Sequence, residues 1–104
     1  MCGICGELQF GVGRRVAAEN VLAMREALVH RGPDDQGLFL SADGGVGLGF
    51  RRLRIVDLTP SANQPMPNED GSIHVVFNGE IYNFRELRRM LVARGHRFRS
   101  HSDT

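Results

Sequence analysis

Cys2 stands one residue from the start of the chain, where removal of Met1 would make it the amino terminus itself. Initiator methionine is ordinarily trimmed ahead of a small residue, and cysteine qualifies, so the expected mature chain carries a thiol and a free α-amine on one residue. An α-amine titrates at about 7.7–8 and a thiol at about 8.5, so near neutrality the amine can take the thiol proton directly or through one water. Such a residue is nucleophile and base together and needs no separate histidine.

A thiolate attacking an amide carbonyl needs two donors aimed at the developing oxyanion. The side-chain amide of Asn78 beside the N–H of Gly79 has that composition. An amino-acid substrate further needs a guanidinium for its α-carboxylate and a carboxylate for its α-ammonium. Arg52 and Asp103 are groups of those kinds. From spacing alone, Asn78-Gly79 is equally well a plain turn and Arg52 a surface residue. Cys2 and Cys5 also have the spacing of a redox or metal pair. The setting is wrong for one, because no strand precedes them to place them at a helix start and no second cysteine pair completes a zinc site.

Each of these segments ends or interrupts a strand pattern, and strand ends at one edge of a sheet can converge. Ile4, Gly6, Leu8 and Phe10 alternate with Cys5, Glu7 and Gln9, which predicts a strand that pins the start of the chain into a sheet. After a turn at Gly11-Val12-Gly13, Ala17, Val21, Met24 and Leu28 recur at helical spacing and predict a helix over 14–30, stopped before Gly32-Pro33. Two strands around residues 38–40 and 46–50 flank the hairpin turn at Asp43-Gly44. Gly47 and Gly49 weaken the second of them unless something approaches its backbone closely. A turn at Asn68–Gly71 leads into a buried strand expected from Ile73 to Phe77. Asn83 with Glu86 has the form of a capping box, opening a helix with Leu87, Met90 and Leu91 inward, Arg85, Arg88, Arg89 and Arg94 outward, and Gly95 as its stop. Phe98 is expected in a final strand leading to Asp103. This order fits an α+β layered fold in one domain.

The totals narrow the function classes. Thirteen basic residues, all arginine, against twelve acidic ones give +1, which supplies no electrostatic case for nucleic acid or an anionic membrane. No apolar run approaches membrane-spanning length, and two cysteines three apart make no disulfide framework, so the cytoplasm is the expected setting. Ser100 to Thr104 has neither a helix stop nor a polar tail, so the chain is expected to be the first part of something longer.

Met1-Cys2-Gly3-Ile4, His30-Arg31-Gly32-Pro33-Asp34, Arg52-Leu53-Arg54-Ile55-Val56-Asp57, Asn63-Gln64-Pro65-Met66, Phe77-Asn78-Gly79-Glu80-Ile81-Tyr82-Asn83 and Ser102-Asp103-Thr104 follow one another in an order that identifies a family. Together, across residues 1–104, they resemble the N-terminal glutaminase domain of glutamine-dependent asparagine synthetases, which are class II glutamine amidotransferases of the N-terminal nucleophile hydrolase fold. The resemblance implies a four-layer αββα sandwich with antiparallel sheets, of which this chain holds the first part. The isolated piece is expected to be inactive.

Carried over by residue, the resemblance makes Cys2 the nucleophile toward the glutamine side-chain amide and Asn78 with Gly79 the oxyanion hole. It assigns Arg52 to the substrate α-carboxylate, Glu80 and Asp103 to its amino end, and the backbone of Ile55 and Val56 to the pocket wall. Arg51 is the weaker candidate because the family arginine directly precedes the leucine. The loop from His30 to Asp34 is expected to support the pocket, with His30 not needed as a base. The resemblance implies no cofactor in this chain, and ATP and Mg in a separate synthetase domain that consumes the ammonia. Its implied partners are glutamine, that C-terminal domain and, in some members, a homodimer mate.

Glucosamine-phosphate synthases share the opening but carry a different stretch where Arg52-Leu53-Arg54-Ile55 stands. N-acetylglutaminylglutamine amidotransferases are similar at Cys2–Glu7 and Arg51-Arg52-Leu53 and depart at Glu80.

Overall fold

The computed structural model describes residues 1–104 throughout. The chain runs β1 (Gly3–Leu8), α1 (Ala18–Ala27), β2 (Asp35–Leu40), β3 (Val46–Arg52), a 3-10 turn at Pro60–Ala62, β4 (Met66–Pro67), β5 (His74–Val75) and α2 (Phe84–Ala93). β1, β3 and β2 form an antiparallel sheet with β3 in the centre, and β4 pairs with β5 in a second, two-stranded antiparallel sheet. This is an α+β arrangement, as the order of periodicities predicts.

The hairpin between β2 and β3 forms at the expected turn. Asp43 Oδ1 accepts the Ser41 hydroxyl at 2.6 Å and the Gly45 N–H at 2.9 Å, while Gly44 takes a φ of +74°. β1 then pairs with β3 from Gly3 opposite Arg51 to Leu8 opposite Val46. Because side chains alternate across a strand, this register puts Gly3, Cys5, Gly47, Gly49 and Arg51 on one face and Ile4, Leu48, Phe50 and Arg52 on the other.

Helix α1 covers the first face. A Cβ on Gly49 would meet Cys5 Sγ at 2.6 Å and Arg25 Cβ at 3.3 Å, and one on Gly47 would meet Val21 Cγ2 at 2.8 Å. The two glycines that weaken β3 as a strand are therefore the places where the helix lies against it. Val21, at the centre of that contact, is 0% exposed, and Phe50 on the opposite face is 2% exposed. Enclosing side chains of this size contributes about 1.5–3 kcal/mol each. The second sheet reaches the opposite face through Phe39, whose ring stacks on His74 with centroids 3.8 Å apart.

Several expectations are corrected. Helix α1 is shorter than 14–30 at both ends, starting after an extended Ala17 and giving way to turns from Leu28, and Met24 at the edge of its stripe is 37% exposed. Only His74–Val75 of the run 73–77 pairs as a strand, and Ile73 is 65% exposed. Asn83 does occupy the N-cap of α2, but without a side-chain capping bond. Gly95 ends α2 as expected, with φ +94° and the paired bonds from His96 N to Leu91 O and Gly95 N to Val92 O that mark a Schellman stop. Met90 lies 42% exposed rather than inward, and Arg88 leaves the solvated face to donate to Ser100 O at 2.8 Å over the ring of Phe98. Residues 97–104 form bends held by such side-chain bonds, with no strand.

One glycine fixes how the two sheets approach each other. A Cβ on Gly37 in β2 would lie 1.7 Å from Gln64 O, beside the cis Gln64–Pro65 peptide. Gly37→Ala should lower the unfolding free energy by about 1–3 kcal/mol. Gly45→Ala should stay near neutral, because the added methyl meets nothing closer than Asp43 Oδ1 at 3.4 Å. Equal denaturant midpoints for the two variants would contradict the packing described.

Candidate functional site

Cys2 enters the site through the β1–β3 register. With Gly3 opposite Arg51, the residue before the strand comes beside the end of β3. Leu53 N–H points at Cys2 Sγ with N to S 3.4 Å, and the sulfur lies 3.6 Å from Leu53 O. From the loop after α1, Arg31 Nε donates to Cys2 O at 3.3 Å.

Cys2 lines a cleft of about 420 Å³, within the size range of small-molecule sites. All eight residues singled out from the sequence line this one cleft: Cys2, Arg52, Ile55, Val56, Asn78, Gly79, Glu80 and Asp103. They come from four stretches separated by up to a hundred residues. Met1 lines it as well, 66% exposed.

Arg52 points into the cleft from β3 and is only 4% exposed. Its Nη1 donates to Thr59 O at 2.7 Å and to Asn63 Oδ1 at 2.6 Å, and Nη2 donates to Asp57 O. Asp35 Oδ2 stands 3.6 Å from Nη1. A guanidinium has five N–H donors, so three are held by the protein and two remain for a ligand carboxylate. Arg51 turns the other way, giving Nε to Gly32 O at 3.0 Å and Nη1 to Gln36 Oε1 at 2.7 Å, away from the cleft. The strand alternation thus separates the two adjacent arginines.

The loop from Arg31 to Asp34 braces this strand end. Asp34 N donates to Arg52 O at 2.9 Å, and Asp34 Oδ2 accepts the Arg54 N–H at 2.8 Å. Arg54 grips Asp35 through Nε at 2.7 Å and Nη2 at 2.9 Å, and that guanidinium holds the Asp35 carboxyl below the usual carboxylate range. His30 is exposed and outside the cleft wall.

Two residues with no individual role in the sequence reading organise the far wall. Gln64, 6% exposed, donates through Nε2 to Phe77 O at 3.2 Å and accepts the Phe77 N–H at 2.5 Å, so its amide fixes the backbone directly before Asn78. Asp57, in a left-handed conformation with φ +50°, receives Thr59 N–H on Oδ1 at 3.0 Å and His101 N–H on Oδ2 at 2.6 Å. The Thr59 hydroxyl first, then the His101 and Thr59 amides, pull the Asp57 carboxyl down from 3.8 to about 2. Stabilisation from that shift is complete above the unfolded value and is lost as pH falls toward 2. Asp103 Oδ2 accepts the Ile81 N–H at 2.7 Å, which ties the C-terminal segment to the loop carrying Asn78–Glu80. Neither a glutamine in a proline-flanked loop nor an aspartate at the end of an apolar run has a periodicity that marks it; a polar side chain with several backbone partners is recognised only in three dimensions.

Cys5 lies away from Cys2, under α1, with Sγ 3.9 Å from Val21 O and against Gly49. Both cysteines are free, and no group of three or more His, Cys, Asp or Glu side chains is gathered for a metal. The paired-cysteine reading therefore has no geometric basis. No helix is long and apolar enough to cross a membrane.

A family model described as a glutamine amidotransferase domain matches residues 1–104. Asparagine synthetase (glutamine-hydrolysing) 1 of Bacillus subtilis is 43% identical over 106 aligned residues, covering 100% of this chain and 16% of that protein. Asparagine synthetase (glutamine-hydrolysing) 2 of the same organism is 43% identical, over 99% of this chain and 13% of its own length. The enzyme named asparagine synthetase (glutamine-hydrolysing) 1 of Arabidopsis thaliana is 42% identical, over 99% and 17%. The chain thus spans less than a fifth of the length of these relatives.

Burial raises the Cys5 thiol above its ordinary range, whereas Cys2 lines the cleft. Because the thiolate is the reactive form, iodoacetamide at neutral pH should alkylate Cys2 well before Cys5. Peptide mapping that finds Cys5 modified first would contradict this placement.

Proposed function

The chain belongs to the glutamine amidotransferase domain family, and from that premise we propose that its cleft hydrolyses the side-chain amide of glutamine through a thioester on Cys2. The observation that carries this reading is the convergence of Cys2, Arg52, Asn78, Gly79, Glu80 and Asp103, remote in sequence, on one cleft.

With Met1 removed, the Cys2 α-amine accepts the thiol proton and the thiolate attacks the amide carbon. The carbonyl oxygen takes the negative charge and is met by the Asn78 side-chain amide and the Gly79 N–H. Collapse of the tetrahedral intermediate breaks the C–N bond, and the amine returns its proton to the departing ammonia. Water then adds to the glutamyl thioester, the same amine removing its proton, and glutamate leaves as the thiol is restored. The two remaining donors of Arg52 take the substrate α-carboxylate, a charge-assisted pair suited to the planar fork. Asp103, with one oxygen held by Ile81 N–H, offers the other to the α-ammonium, supported by Glu80. The backbone around Ile55 and Val56 closes the wall between them.

In the whole protein the ammonia passes to an ATP-dependent synthetase domain outside these residues, the acceptor being aspartate and the product asparagine. That domain carries the ATP and Mg, and a homodimer of the full protein fits the same reading. The relatives' names and their far greater length support this assignment. The layering of α1 on the three-stranded sheet, with the second sheet on its other side, supports an N-terminal nucleophile hydrolase sandwich. Two free cysteines suit the reducing cytoplasm.

In the full-length protein, Cys2→Ala should abolish glutamine hydrolysis, and Asn78→Ala should lower kcat by about 10²–10³. Cys5→Ser should retain activity. Glutamine hydrolysis that survives loss of the Cys2 sulfur would overturn the proposal.

A further inference from the structure

Arg52 and Asp103 hold the two charged groups on the substrate's α-carbon in the reading above, yet they belong to segments far apart in the chain. Asp57 is bonded to Arg52 and to the segment that carries Asp103. Its carbonyl oxygen accepts Arg52 Nη2, its Oδ1 accepts the Thr59 N–H and hydroxyl, and Thr59 O accepts Arg52 Nη1 at 2.7 Å. Its Oδ2 accepts the His101 N–H at 2.6 Å, two residues before Asp103. Asp57 itself is absent from the cleft wall, so it acts only through these neighbours.

We propose that Asp57 is a positioning residue that fixes the distance between the α-carboxylate and α-ammonium subsites, and so selects a substrate that carries both charged groups on one α-carbon. The inference rests on the glutaminase reading. Three donors converge on its two carboxylate oxygens, which only an ionised carboxylate satisfies on both sides. The left-handed backbone at φ +50° turns the side chain and the carbonyl to different partners, and aspartate tolerates that conformation. The depressed carboxyl keeps this arrangement charged at any working pH.

An asparagine here presents one acceptor and one donor, so either Thr59 or His101 faces an N–H instead of an oxygen. In the full-length protein, Asp57→Asn should raise the KM for glutamine roughly tenfold to hundredfold, the range for losing a hydrogen bond to a charged group, while kcat changes less than about threefold. Labelling of Cys2 offers a second readout. A glutamine-shaped diazoketone, which needs both subsites, should label the variant more slowly by a similar factor. Iodoacetamide, which needs neither subsite, should label it at the unsubstituted rate.

An unchanged KM overturns the proposal, and so does an equal loss with both reagents, which would mean a general collapse of the site. If Asp57→Asn does not accumulate folded, the same two reagents decide on Thr59→Val, which loses the hydroxyl donor, against Thr59→Ser, which keeps it. Slower diazoketone labelling in Thr59→Val alone supports the proposal, and equal rates in the two overturn it. An unsubstituted protein that hydrolyses no glutamine and resists the diazoketone would instead sink the functional reading, and this inference with it.

Discussion

Six antiparallel pairs, from Gly3 opposite Arg51 to Leu8 opposite Val46, hold the start of the chain against the central strand β3. Chain ends usually fray, and a nucleophile on a frayed end has no fixed neighbours. Here the pairing makes the first residues part of the sheet, so Cys2 meets the backbone of Leu53 and stands next to Arg52. A slip by one residue would exchange the two faces and turn this end of the chain toward α1. The close approach of α1 to Gly47 and Gly49 and the enclosure of Phe50 on the other side both oppose such a slip.

Around that anchor the polar groups of the site are held mainly by backbone partners. Arg52 is fixed by two carbonyls and the Asn63 side chain, Phe77 by the amide of Gln64, and His101 by Asp57. No buried side-chain nitrogen or oxygen is left without a partner. Burying a guanidinium is costly unless its donors are met, and three of the five on Arg52 are met by the protein.

Much of this was legible in the sequence. The strand at Ile4–Leu8, the Asp43-Gly44 turn and the Gly95 stop each follow from local rules, and each stands where those rules put it. Elements whose form depends on distant partners were less legible. The run from Ile73 to Phe77 has strand composition, yet only two residues pair, because Phe77 is captured by Gln64 rather than by a neighbouring strand. Arg88 looked like one of a solvated row, but the carbonyl of Ser100 and the ring of Phe98 lie within its reach. The face of Ile4, Leu8 and Phe10 shows the expected alternation while remaining 44%, 58% and 79% exposed.

The sequence by itself determined the chemical types available to the site, because a thiol one residue from Met1, an Asn-Gly pair, an arginine and an acid do not depend on folding. Only the tertiary structure decided that the four stretches open onto one cleft, that Arg52 and not Arg51 faces it, and that Gln64 and Asp57 brace it. Those outcomes depend on hydrogen bonds between residues tens of positions apart, and such partners leave no period or spacing along the chain from which they could be read.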